Sequence, residues 1–125
     1  MSRAAIVALV LSCVLLTTAG QIVLKIGVSS PSLQAVLRSA GPAAFLTRAI
    51  FAPGVLLGLA LYVASTIVWL LVLARAPLSY AYPFVSLGFV LTALYAYYAL
   101  GESFALTRVA GIALICAGVW LVARS

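Results

Sequence analysis

Four long apolar runs, separated by short polar breaks, set the pattern of this chain. They extend from about Ala4 to Ile26, Pro53 to Leu73, Leu78 to Leu100 and Phe104 to Val122. A helix needs about 20 mostly apolar residues to cross a hydrocarbon layer of about 30 Å, and each run is long enough. The breaks carry helix-ending chemistry. Ser29-Ser30-Pro31-Ser32 closes the first run, since proline cannot continue the backbone ladder. Pro53 suits the start of the second, where its missing N–H is no loss. Arg75-Ala76-Pro77 and Gly101-Glu102-Ser103 are tight connections. Residues 29–52 form the longest connection, too short and too broken for another span. Leu33, Val36 and Leu37 have helical spacing beside Gln34 and Arg38, which predicts a short interfacial helix ended by Gly41-Pro42. Phe45, Ile50 and Phe51 around Arg48 also suit the membrane surface. The expected fold is all-α: one four-transmembrane-helix bundle over residues 1–125. Its short late connections make the second, third and fourth helices antiparallel neighbours.

Composition agrees with that pattern. Of 125 residues, 67% are hydrophobic and only 6% charged, against roughly 45–50% and about 25% in soluble domains. The apolar excess faces lipid. No stretch of domain size is left over for a soluble catalytic module, and a bundle this small is expected to work as a dimer. The N-terminal run outlasts the apolar region of a typical signal peptide, so it is expected to stay as the first helix.

The net charge of +6 comes from seven basic residues against the single acid Glu102. The basic residues fall at the ends of the runs, where Lys and Arg anchor to headgroups. Nucleic acid is therefore not expected as a partner. Arg3, Arg75 and Arg124 would lie on one side of the membrane and Lys25, Arg38, Arg48 and Arg108 on the other. That near balance leaves either dual insertion or a partner that fixes orientation. Cys13 and Cys116 lie inside apolar runs without metal or redox spacing, and there is no histidine. Neither a metal, a cofactor nor an enzymatic activity is expected.

A proton-coupled exporter of cations needs a carboxylate within the membrane to bind proton and substrate in turn. Glu102 falls instead in a turn at the interface, solvated or paired with Arg108. The first run offers the opposite chemistry. Thr17, Gln21 and Lys25 recur at i, i+4 and i+8 and share one helix face. They make a polar stripe from the interface towards the bilayer centre, with a cation suited to a phosphate. The competing reading has Lys25 snorkelling to headgroups and the threonines bonding their own helix. Tyr62, Trp69 and Tyr82 add aromatic surfaces suited to a sugar or amphiphile, and Ser86 follows Pro83, which kinks the third helix. Tyr95, Tyr97 and Tyr98 suit an aromatic belt. Gly54 and Gly58 allow two helices to approach closely. Gly111 and Gly118, with Leu114 and Ile115 between them, form either a self-association seam or an intrachain contact.

Several motifs carry a family resemblance. The run Leu78-Ser79-Tyr80-Ala81-Tyr82-Pro83, the Leu100-Gly101-Glu102 turn, the Gly111–Val119 segment and Gly20-Gln21…Leu24-Lys25 resemble, in this order, the small multidrug resistance and EamA-type transporter superfamily. Its drug exporters carry a first-helix glutamate where this chain has Thr17, and a third-helix tryptophan where it has Val85. The chain looks more like the branch of paired four-helix subunits for aminoarabinose-phosphoundecaprenol. The resemblance implies a lipid-linked sugar flippase subunit of the bacterial inner membrane. It would act as a homodimer or as a heterodimer with a paralogous subunit, with Gly111 and Gly118 at the dimer seam. On this reading Lys25, with Arg75 or Arg48 at the rims, holds the phosphate, and Thr17, Gln21, Tyr62, Tyr82 and Ser86 line the sugar's path. The alternatives are an exporter of cationic drugs that uses aromatic faces, and a non-transporting assembly partner.

Overall fold

The computed structural model describes residues 2–125, and 2–125 contain helices and turns without a strand. The helices are α1 (Arg3–Val28), α2 (Pro31–Ala40), α3 (Pro42–Ile50), α4 (Pro53–Arg75), α5 (Leu78–Ala81), α6 (Ser86–Tyr98) and α7 (Leu106–Arg124). A 3₁₀ turn, Tyr82–Val85, joins α5 to α6. Four segments are long and apolar enough to cross a membrane: Arg3–Val28, Pro53–Arg75, Leu78–Tyr98 and Leu106–Arg124. This is a multi-pass membrane protein. Its large side chains turn outward along these segments, Leu106 with 84% of its surface exposed, as a lipid solvent requires.

Local chemistry sets the helix ends. The Ser2 hydroxyl caps α1 by accepting from the Ala5 N–H at 3.1 Å, and Ser30 caps α2 through the Leu33 N–H. Proline opens α2, α3 and α4, where the absent donor is not missed. Gly41 joins α2 to α3 at φ +87°, a left-handed conformation that favours glycine. The connection 29–52 is therefore a hairpin of two helices rather than one helix and a loop. Sequence reasoning missed α3 because its nine residues are too few to display a periodic stripe. The hairpin folds back on the bundle through Leu33, Ala49 and Val55, flanked by Leu24, Val28 and Phe45.

The third span is not the single helix 78–100. Pro83 lacks the N–H for the ladder and crowds the preceding turn, so the helix tightens to 3₁₀ over Tyr82–Val85 before α6 begins. It ends at Tyr98, and Gly101 at φ +71° turns the chain towards α7.

α1 is the hub. It packs along α4 over most of its length and also touches α6. Small residues bring α1 and α4 together: the Cα of Gly27 lies 3.3 Å from where a Cβ on Gly54 would stand, and Gly20 lies over Gly58 and Tyr62. The close approach expected of Gly54 and Gly58 is thus made within the chain. Where Arg3, Arg75 and Arg124 end their helices, Val10, Val14, Val72, Ala81, Phe84 and Val119 make a core shared by all four spans. The second and third spans are neighbours only at this end; α4 and α6 share no comparable interface. A short connection dictates only where two helices meet, and α1 claims the rest of both.

One polar atom inside this packing is orphaned. Thr18 is 7% exposed and faces Gly88 of α6, yet its hydroxyl has no hydrogen-bond partner among the described residues. Thr18→Val, nearly isosteric, removes that unsatisfied group and is expected to stabilise the protein by about 1 kcal/mol. Unfolding midpoints in detergent test this; a lower midpoint would mean the hydroxyl has a partner.

Candidate functional site

At 1.5 Å per residue α1 is about 39 Å long, more than the hydrocarbon layer needs, so Lys25, near its C-terminus, stands at interfacial depth. Its neighbourhood is a cleft of ≈ 290 Å³ between α1 and α6, lined by Gln21, Ile22 and Lys25 on one side and Thr92, Tyr95, Ala96, Leu100 and Glu102 on the other. Lys25 and Glu102 are both exposed to it. Gln21 donates from its amide to the Tyr62 hydroxyl, which ties the stripe of α1 to α4. The Tyr62 backbone carbonyl accepts from the hydroxyls of Ser65 at 2.7 Å and Thr66 at 3.0 Å within α4 itself.

Further towards the bilayer centre, beyond buried Thr18, the same two helices form an apolar groove of ≈ 360 Å³, lined by Leu11, Val14, Leu15, Leu87, Val90 and Leu91. Leu11, Leu15, Thr18, Ile22 and Lys25 recur at three or four residues and so share one face of α1. Along that face the lining changes from hydrocarbon through one buried hydroxyl to an amide and a cation. Polar and apolar compartments stacked in this order match an amphiphile lying along the helix.

The sequence candidates separate into groups. Gln21, Lys25 and Tyr62 come together at one end. Trp69 and Tyr82 meet edge to face near the other, ring centroids 6.3 Å apart. Thr17 does not reach the cleft; its hydroxyl bonds the Cys13 carbonyl of its own helix at 2.9 Å. Ser86 starts α6 beside the 3₁₀ turn, away from Lys25. Glu102, Thr92 and Tyr95 were not among the candidates, yet they complete the cleft. Nor does Glu102 pair with Arg108, whose guanidinium stacks over Phe104 at 5.2 Å. The direction of a turn is set by its backbone angles, and only the glycine at 101 hinted at them.

On α7, a Cβ added at Gly111 or Gly118 would meet nothing within 4 Å, and Leu114 is 73% exposed. Ile115 faces inward and packs against the shared core. Gly111 and Gly118 thus leave open space at their side-chain positions among the described residues, and Leu114 faces largely outward.

Comparison with known proteins decides the family. The chain is 35% identical over 116 residues, 89% of its length and 90% of the relative's, to a Photorhabdus laumondii protein described as "Probable 4-amino-4-deoxy-L-arabinose-phosphoundecaprenol flippase subunit ArnF". The chain belongs to the ArnE/ArnF family. A Pseudomonas aeruginosa ArnE, likewise described as a flippase subunit, is 36% identical over 124 residues, 94% of this chain and 96% of that one. A Sodalis glossinidius ArnF reaches 43% identity over 67 residues, 52% of either chain. No family model matches the chain, and no solved structure does. Its relatives include both kinds of subunit, at similar identity.

Proposed function

We propose that the protein is a flippase subunit that moves a polyprenyl-phosphate amino sugar across the bacterial inner membrane. One observation carries this reading: the same α1–α6 side holds a charged, amide-lined cleft and, further along it, an apolar groove. The headgroup would enter the cleft, its phosphate at Lys25 and its sugar hydroxyls at Gln21, with the first isoprene units in the groove. Most of the tail stays in lipid, so a small bundle suffices. Tyr62 acts as a positioning residue that holds the Gln21 amide in place. The family name says that its members are subunits, and the uncovered small-residue face of α7 suits a second four-helix chain, a paralogue or another copy. Gly111, Leu114 and Gly118 would then contact the partner while Ile115 secures α7 to its own core.

The test is translocation in liposomes. The chain, alone and with the paralogous subunit, is reconstituted with a labelled polyprenyl-phosphate amino-pentose in the outer leaflet. The expected result is loss of reactivity towards a membrane-impermeant amine reagent, faster than in protein-free liposomes. Transport of a quaternary ammonium dye with no movement of lipid would favour the cation exporter instead.

A further inference from the structure

Glu102 is the single acidic side chain of the sequence. It lines the cleft opposite Lys25, and among the described residues it forms no ion pair. Its position is built rather than incidental. Gly101 at φ +71° turns the chain back after α6, and the Glu102 N–H bonds the Ala96 carbonyl at 3.1 Å. That bond holds the carboxylate at the mouth of the cleft. Its basic neighbour in sequence, Arg108, is engaged with Phe104, so neither basic nor hydrogen-bonding groups of the fold neutralise Glu102.

A cleft meant only for a phosphate gains nothing from a carboxylate. Like charges in one small site repel, and the mouth of a membrane protein is not fully screened by water. The arrangement is useful for a ligand that carries both charges at a distance from one another. Lys25 on α1 and Glu102 after α6 stand on opposite walls, as a phosphate and an ammonium stand at opposite ends of an amino-sugar phosphate. We propose that this cleft selects its headgroup by both charges, Lys25 taking the phosphate and Glu102 the protonated amine of the sugar. The inference rests on the flippase reading above and adds a specificity-determining residue to it. Recognition then has an attractive and a repulsive part. An amino sugar satisfies Glu102. A polyprenyl phosphate carrying an uncharged sugar leaves the carboxylate unpaired beside a phosphate and is disfavoured.

Binding separates this idea from the reading beneath it. The full chain, in nanodiscs with any subunit that co-purifies, is titrated with two short-chain polyprenyl phosphates. One bears a 4-amino-pentose and the other the same pentose with a hydroxyl in place of the amine. The hydroxyl lipid cannot make the charge-assisted hydrogen bond to Glu102, so the amino lipid is expected to bind about tenfold tighter. Glu102→Gln should bring the ratio of the two affinities close to one, and Glu102→Asp should keep most of the preference. A wild-type ratio near one, or a ratio that Glu102→Gln leaves intact, overturns the inference while lipid-phosphate binding stands. Absence of saturable binding by either lipid overturns the flippase reading and the inference together.

Discussion

Gly27→Ala is expected to destabilise the bundle by about 2 kcal/mol, the range found when a methyl is forced into a packed interface. The new Cβ would stand 3.0 Å from the Val55 nitrogen and 3.1 Å from the Gly54 carbonyl carbon. Those are backbone atoms, so no side chain can rotate away, and α1 must withdraw from α4. The withdrawal breaks the largest helix contact of the fold and loosens the tie between Gln21 and Tyr62. In the chain purified as a monomer Gly111→Ala is the control, since its Cβ would meet nothing within 4 Å among the described residues and alanine also favours helix. Unfolding midpoints in mixed detergent should fall clearly for the first substitution and stay level or rise for the second. Equal losses for both would show that helix–helix proximity is not what these glycines provide.

Lys25→Glu is expected to lower lipid translocation by at least about 100-fold. Loss of the phosphate's cation removes a charge-assisted contact of about 1.5–3 kcal/mol, and the new carboxylate repels both the phosphate and Glu102 across the cleft. The two effects together exceed the roughly 2.7 kcal/mol that 100-fold requires. Lys25→Arg, which keeps the charge, should retain most of the rate. If Lys25 only anchored α1 at the headgroups, Lys25→Glu would change the rate by less than about threefold, because Arg38 and Arg48 remain on the same side.

Hydropathy made the four spans legible to within two residues at every end, because a lipid-crossing helix is defined by length and apolarity before any contact exists. The partners of each helix were not legible. Short connections argued for α4 beside the third span, yet α1 occupies that place through Gly20 and Gly27, glycines whose seven-residue spacing was a usable signal. Pro83 was read as a kink, and the structure accommodates it by tightening the backbone to a 3₁₀ turn. The candidate site was legible where it follows helical periodicity, as with Gln21 and Lys25. It failed where a residue's position depends on a turn, as with Glu102, or on which way a hydroxyl bonds, as with Thr17. Tyr82 and Trp69 were grouped with Lys25 on chemistry alone, and the span separates them.

The two sides of α1 are held by different means. Towards α4 it is joined backbone to backbone through glycines, a joint with little slack. Towards α6 it meets larger side chains around a groove and a cleft, and α6 is held in addition by α7 and by the four-residue turn at Pro83. Parting the bundle is therefore unequal in cost around its hub. One flank is closed backbone to backbone, while the other leaves room between side chains, and the tightened turn of the third span lies at the membrane face opposite Lys25.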